Sequence, residues 1–420
     1  MEKQDYDVVI AGAGASGLAA AIAAARAGAS VLVLEKNHVP GRKLLSTGSG
    51  KCNFSNLRVR PADYRAGGPA FLKRTFSALP PAEVHEFFDG LGLLRAEKDG
   101  GRLFPRSMKA QDVQGVLLNE LEALKVPVLT LTEVLGIRPD KAGFAVEAAK
   151  VAPVWVKNAP AGVKKTYRAG RVVLAAGGAA YPQIGGSDKG CGLLQRLGHT
   201  VSALSPALVP LRVKEPLVKE LDGVRLDAAL ALKAGGKTLA AAEGELLFTA
   251  YGVSGPAVLD LSRAALAALN GGPVLLEADF FGDYTAKAFR EFLLARAAAF
   301  AGRPFRHFAT GLLNEKLMRA AAWLAGIDWN APAGPNLEVL AGTLKCFSLE
   351  VTGSLGFQDA MVSAGGCSCA EIDAATFASK KIKGLYVTGE LLDIDGGSGG
   401  FNLHFAWTSG LLAGRHAAGK

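Results

Sequence analysis

The sequence predicts an α/β fold with a parallel sheet, interrupted in mid-chain by an inserted β-rich region. Three observations predict it. A strand, a glycine loop, a helix and a second strand follow one another between Tyr6 and Glu35. Short alternating segments begin near Leu193, and a last strand leads through a glycine-rich loop into a terminal helix.

Tyr6 to Ala11 reads as a short buried strand, broken by Gly12-Ala13-Gly14-Ala15-Ser16-Gly17. An alanine-rich helix follows through Arg26-Ala27 and stops at Gly28, a natural C-terminal cap. Ser30 to Leu34 forms the second strand and ends on Glu35. A strand, a crossover helix and a strand in this order pair in parallel. Residues 37–60 lack periodicity and are rich in Gly, Ser, Asn and Lys; so long a loop beside such a unit points to function. Residues 70–125 are helical in pattern, broken at Pro80-Pro81 and Gly100-Gly101. Thr130 to Thr166 alternates as a small meander with a surface excursion at Val151 to Lys165, and Arg171 to Ala176 is a buried strand running into Gly177-Gly178.

In the insert, Val209 to Val213, Leu226 to Leu232 and Glu245 to Thr249 alternate like half-buried strands. Ala286 to Trp323 is helical with breaks, and Lys345 to Thr352 returns to strand. Leu385 to Thr388 is the last strand, before a helix from Asn402 to Ala418. The boundaries read from these shifts are 1–192 and 354–420 for the domain carrying the opening unit, 193–275 and 336–353 for the β-rich insert, and 276–335 for a small helical domain.

Half of the 420 residues are apolar and 20% are charged, which fills a core and argues against disorder. Glycine is in excess, 52 residues or about 12% against roughly 7% in average chains, without the G-X-Y period of collagen. The glycines therefore need a role inside folded structure. The net charge of +9 suits an anionic partner as well as an ordinary basic surface. Five cysteines without a CxxC pair argue against a disulfide framework and for a reducing cytoplasm. The histidines show no metal-ligand spacing, so no metal site is expected. No signal-peptide core follows Met1 and no apolar run approaches a membrane span, so a soluble cytoplasmic chain is expected, its oligomeric state open.

Gly12, Gly14 and Gly17 have the G-x-G-x-x-G spacing. The first permits a tight turn, the second lets backbone approach a pyrophosphate, and the third lets the helix pack on the strand. Ala15 and Ser16 open the helix, whose free amides and dipole favour phosphate. Glu35 closes the second strand, placed to accept hydrogen bonds from ribose hydroxyls. The chain carries no second such motif between a strand and a helix. An acid at the ribose fits FAD and NAD alike; in a chain that also holds a flavin, a single motif goes to FAD and NAD(P)H binds transiently without a Rossmann domain of its own.

Four further segments carry a family likeness: Gly41-Arg42-Lys43 through Gly48-Ser49-Gly50-Lys51-Cys52-Asn53, Ala176-Gly177-Gly178-Ala179-Ala180-Tyr181-Pro182, Ser254-Gly255-Pro256-Ala257-Val258-Leu259, and Thr388-Gly389-Glu390 through Asp395 to Gly399-Gly400-Phe401-Asn402. In these the chain resembles the BaiN/YhiN family of FAD-dependent oxidoreductases, in order and over nearly its whole length. The resemblance implies a Rossmann-like FAD-binding domain built from both ends of the chain, with an inserted β-barrel-like domain and a small helical domain. It implies that Gly12 to Gly17, Glu35, Lys36, Arg42 and Lys43 hold the ADP half of FAD. Gly50, Lys51, Cys52, Asn53, Gly389, Glu390, Asp395, Gly399, Gly400, Phe401 and Asn402 would line the ribityl and isoalloxazine. Ala176, Gly177 and Gly178 approach the cofactor in the same way, and Val134 would meet the adenine through its backbone. Two departures stand out. Ala250-Tyr251 follows Phe248-Thr249 where the family has a histidine, and Lys51 replaces the more frequent arginine.

The reaction so implied is reduction of FAD by NAD(P)H, followed by hydrogenation of an activated C=C bond. Cys52 is the first proton-donor candidate, its pKa expected to fall beside Lys51; the alternative is a small packing cysteine. Tyr181 and His404 follow. For the substrate, the resemblance implies a uridine of large-subunit ribosomal RNA or an unsaturated steroid acid. Arg303-Pro304-Phe305-Arg306-His307-Phe308 interleaves cations and aromatics as RNA-tracking sites do, unless the two phenylalanines are core. The sequence reading favours RNA. A small unsaturated or amine metabolite, or a flavin-loaded scaffold or redox sensor without turnover, are the alternatives.

Overall fold

The computed structural model describes residues 5–65, 67–153, 155–156, 162–332 and 336–419. The chain divides into two compact units, Met1–Pro206 with Met361–Lys420, and Ala207–Ala360.

The first unit is built on a mixed sheet of seven strands. β1 (Tyr6–Ala11), α1 (Ala15–Arg26) and β2 (Val31–Leu34) form the opening unit, with β1 and β2 parallel from Val8↔Val31 to Ala11↔Leu34. Every residue of β2 is buried, the continuous apolar pattern of a strand covered on both faces. Val128–Leu129 extends the sheet beyond β2. On the other side of β1 lies Lys164–Leu174, which joins two kinds of pairing in one strand. Lys164 to Ala169 pair antiparallel with Gly143–Lys150, while Val172 to Leu174 pair parallel with Leu385–Val387. Thr132–Asp140 completes the meander. The strand near the end of the chain thus lies in the same sheet as the first one. Part of the expected surface excursion, residues 154 and 157–161, lies outside the described residues.

α1 and the last helix, Phe401–Ala417, pack backbone to backbone. A Cβ on Gly410 would lie 2.2 Å from the Ser16 carbonyl oxygen, and one on Gly414 2.3 Å from that of Ala20. The alanines of α1 and these two glycines permit that approach. Part of the glycine excess therefore serves helix packing.

The first unit reaches further than the expected boundary at 192. Lys189–Arg196 is a helix whose Cys191, Leu193 and Leu194 belong to this unit's apolar core, and Val201 and Leu204 pack against it. The chain re-enters the unit at Met361 rather than at 354.

In the second unit, Leu211–Val213, Gly252–Ser254, Lys237–Thr249, Arg225–Ala234, Val274–Asp279 and Phe347–Ser354 form a closed antiparallel barrel, in that order. Alternate residues point inward, as in Val274, Leu276 and Ala278. Helices Ala286–Ala299, Phe305–Ala309, Glu315–Leu324 and Leu337–Lys345 follow the fifth barrel strand in sequence. Their Phe289, Phe305, Phe308 and Leu317 share one apolar cluster with Leu230, Phe248 and Leu276 of the barrel. The helical segment expected at 276–335 is therefore part of the barrel's own unit, because neither could bury its apolar face without the other; its residues 333–335 lie outside those described. No helix among the described residues is long and apolar enough to cross a membrane.

Candidate functional site

A cleft opens where β1, β2 and Lys164–Leu174 end. Of the expected cofactor residues, Gly12, Gly14, Glu35, Lys36, Arg42, Lys43, Val134, Ala176 and Gly177 line it.

The glycine loop has one open and two crowded positions. A Cβ on Gly14 would meet nothing within 4 Å, whereas one on Gly17 would lie 1.9 Å from the Gly12 carbonyl oxygen. Gly14 is the N-cap of α1, makes no side-chain cap, and no acid stands in the first turn. The first amides of α1 are thus left for an anion. Glu35 is buried, and its Oε2 accepts the Ala13 N–H at 2.7 Å. Its Oε1 accepts the backbone N–H of Asn37 at 2.7 Å and the side-chain Nδ2 at 2.8 Å. A carboxylate oxygen takes two donors, so Oε2 keeps room for a ribose hydroxyl. Asn37 was missed in the sequence; its position two residues beyond the strand-ending acid was the available signal.

Arg42 lines the cleft with Nη1 buried and unpartnered, a cation awaiting an anion. Lys43 is different. Its Nζ donates to Glu390 Oε2 at 2.9 Å, and Glu390 Oε1 accepts the Ser363 N–H at 2.8 Å. This pair ties the loop after β2 to the C-terminal segment rather than facing a phosphate. Gly178 is needed there, since a Cβ would lie 2.6 Å from Glu390 Oε1. Burial lowers the Lys36 pKa, against the attraction of Glu133 and Glu35.

The second constellation surrounds the start of the last helix. Gly400 is its N-cap at φ 96°, again without a side-chain cap. A Cβ on Gly400 would lie 2.4 Å from the Ser55 carbonyl oxygen and 2.7 Å from Asn53 Oδ1, so the loop bearing Gly50, Lys51, Cys52 and Asn53 presses on this helix end. Asn53 Oδ1 is buried without a partner. Asn402 and Phe401 also hold this region together. Asn402 Oδ1 accepts the Gly396 N–H and its Nδ2 donates to the Gly396 carbonyl, both at 2.8 Å, which shapes the glycine loop. The Phe401 carbonyl accepts the Tyr64 hydroxyl at 3.0 Å. Asp395 is buried in a two-residue ladder with Arg65, and the Gly389 N–H donates to Ser409 Oγ at 3.0 Å. The residues present fit FAD. Arg42 and the α1 amides would hold its pyrophosphate, Glu35 its ribose, and Asn53 with the amides at Gly400 its ring system.

Cys52 differs from expectation. It is fully buried at φ 57°, and burial pushes its pKa up to about 11 against a hydrogen bond from Thr47. Lys51 is exposed and does not offset that burial. The thiol therefore keeps its proton at neutral pH and is no nucleophile. Among the five cysteines only Cys346 is exposed. A disulfide-exchange reagent is expected to titrate about one thiol in the native protein and all of them after denaturation; rapid native reaction at Cys52 would contradict its burial. Tyr181 is half-buried in left-handed backbone at φ 56° and does not line the cleft.

His404 lies fully buried on the last helix, with Nδ1 2.8 Å from Ser55 Oγ; that oxygen is 3.0 Å from His85 Nε2. Sequence reasoning missed Ser55 and His85, because only folding brings them to His404. Burial first, and His85 second, lower the His404 pKa to about 3. The unfolded chain takes up this proton near pH 6.5, so stability is whole above that value and lost as pH falls below it, by up to about 1.4 kcal/mol per unit. His85 and His199, both lowered chiefly by burial, act in the same direction. Urea midpoints are expected to fall between about pH 7 and about pH 5, and less steeply for His404→Gln.

His199, Cys367 and Glu371 bring ligand-type atoms within 4.8 Å of one another, a cluster the sequence spacing did not show. His199 Nδ1 stands 2.9 Å from Glu371 Oε2, and its Nε2 2.9 Å from Ser379 Oγ. Glu371 also accepts Thr200 Oγ1 at 2.7 Å and pairs with Lys381 at 2.6 Å. Hydrogen bonds and the ion pair to Lys381 hold this group together.

The Arg303–Phe308 segment does not offer bases a stacking platform. Phe305 and Phe308 are fully buried, and Arg306 donates to Asn330 Oδ1 at 2.8 Å.

A family model described as the HI0933-like protein Rossmann domain matches residues 6–416. The chain is 36% identical over 416 residues to a 3-dehydro-bile acid delta(4,6)-reductase of Clostridium scindens, covering 97% of this chain and 98% of the relative. It is 28% identical over 414 residues to a ribosomal RNA dihydrouridine synthase of Escherichia coli, covering 96% of each. Among solved structures, the 3-ketosteroid delta1-dehydrogenase of Sterolibacterium denitrificans matches with a TM-score of 0.56 over 98% of this chain and 99% of that one; at 15% identity this is a likeness of fold.

Proposed function

The chain belongs to the HI0933-like Rossmann-domain family, and from that premise we propose that it is an FAD-dependent reductase that saturates the C=C bond of a uridine in large-subunit ribosomal RNA. NAD(P)H is the electron donor, and FAD, when bound, supplies the hydride chemistry. The chain's own residues hold, orient and protonate. The α1 amides, Arg42 and Glu35 anchor the ADP half. Asn53 and the amides at Gly400 fix the ring system. Hydride addition to one carbon requires a proton at the other, and Cys52, which keeps its proton at Sγ at neutral pH, is the donor we assign.

One observation carries the RNA reading. Residues 207–360 hold 15 Lys and Arg against 16 Asp and Glu, whereas the remainder holds 32 against 22. The whole positive excess lies in the unit with the cofactor cleft, where a phosphodiester substrate gains from it and a monoanion has little use for it. A substrate of that kind places the protein in the cytoplasm. The higher identity to the bile acid reductase favours the second reading, an unsaturated steroid acid.

Deleting the gene is expected to remove a dihydrouridine from large-subunit rRNA, read by mapping that base, and restoring the gene to return it. An unchanged modification profile, with steroid enones consumed by the purified protein, would replace the RNA reading with the steroid one. Anaerobic protein that NADH and NADPH both fail to bleach would mark a scaffold.

A further inference from the structure

We propose that the β-hairpin Arg95–Lys98/Arg102–Pro105, with the segments flanking it, is the surface that contacts the phosphates of the substrate RNA; the inference rests on the RNA reading above. Lys51, Arg58, Lys98, Arg106 and Lys109 are all exposed. Among the described residues, none of them stands in an ion pair, whereas their neighbours Arg60 and Arg95 are held by Asp63 and Asp89. Glu97 and Asp99 are the acids of the hairpin, so cations outnumber them. Free exposed cations cost side-chain entropy to order and find no return inside the protein. An external polyanion supplies one by releasing its counterions.

The geometry ties this surface to the glycine loop before the last helix. Lys98 pairs with Arg102 across the hairpin, which sets the two cations side by side. The buried Asn56 donates through one Nδ2 to the Gly100 carbonyl at 3.2 Å and to the Gly399 carbonyl at 3.0 Å. Its Oδ1 accepts the Arg58 N–H at 2.8 Å. A Cβ on Gly101 would lie 3.2 Å from Arg58 Cγ, so the Arg58 stem lies on the hairpin turn. The loop that carries Lys51 packs on the hairpin through Gly48 and Phe104. One amide thus couples the basic turn to the glycine loop that precedes the last helix. RNA phosphates held here would be in fixed register with a base presented at that loop.

The test uses the FAD-loaded protein and an unmodified large-subunit rRNA transcript, with binding followed by anisotropy at stepped salt. Arg58→Gln/Lys98→Gln/Arg106→Gln is compared with Lys219→Gln/Lys237→Gln/Lys287→Gln, which removes as many exposed charges from the other unit. The first variant is expected to lose roughly tenfold or more in affinity, with a log–log salt slope shallower by about 2 at roughly 0.7 per lost contact. The second is expected to bind as the parent does, and both to keep their flavin and melting temperature. Equal losses in both variants, or an unchanged slope in the first, would overturn the hairpin assignment while leaving the RNA reading intact. A parent protein that fails to bind the transcript but binds a steroid enone acid would overturn both.

Discussion

Gly12→Ala is expected to give a colourless protein. The position combines two constraints that a methyl group breaks together. Its φ of +108° is one that L residues rarely adopt, and an added Cβ would lie 2.4 Å from the Ala175 carbonyl oxygen and 2.9 Å from its carbon. Those atoms are backbone of the strand's exit toward Gly177, so no rotamer change relieves the contact. The strain alone is of order 1–3 kcal/mol, and the shift it forces moves the α1 amides from the pyrophosphate position. Visible flavin absorbance after purification and the thermal midpoint are the measurements. Gly14→Ala makes the comparison, because its Cβ meets no protein atom and its effect falls on cofactor approach alone. A yellow, fully stable Gly12→Ala protein would show that the loop has another conformation.

Glu35→Ala is expected to weaken FAD binding by on the order of 100-fold, about 2.7 kcal/mol. The buried carboxylate accepts the Ala13 N–H and both Asn37 donors, and removing it strands the amide that shapes the glycine loop. A buried donor left unpaired costs about 1–3 kcal/mol, and the lost ribose contact adds to that. Glu35→Gln retains one oxygen for Ala13 but turns an NH2 toward Asn37, so an intermediate loss is expected. Flavin fluorescence titration of the apoprotein reads all three. Equal affinities across them would remove Glu35 from the cofactor site.

What was legible in the sequence was local. The strand–loop–helix–strand unit declares itself because its glycine spacing, flanking strands and closing acid all fall within about thirty residues, and the barrel strands because burial alternates along each one. What was hidden depended on partners far along the chain. His404 and Ser55 are 349 residues apart, so nothing near either announces that they share a hydrogen bond. Lys43 reads as a phosphate ligand until Glu390, 347 residues away, is seen to occupy it. Cys52 was assigned an activated thiol from the charge of its neighbour, but burial outweighs a lysine that points to solvent. Phe305 and Phe308 fit either a core or a stacking platform by spacing alone, and the barrel's need for cover decides between them.

The close packing of α1 on Phe401–Ala417 bears on how the protein is made. The ribosome releases the first helix long before the last, and until then the Ser16 and Ala20 backbone has no Gly410 or Gly414 to lie against. The unit Ala207–Ala360 is continuous in sequence and can close its own core while synthesis proceeds. The cofactor unit cannot, since both Leu385–Val387 and the last helix arrive at the end. Assembly of this unit then waits for the last strand and helix. A nascent chain stalled before Phe401 would hold a complete glycine loop yet bind no flavin.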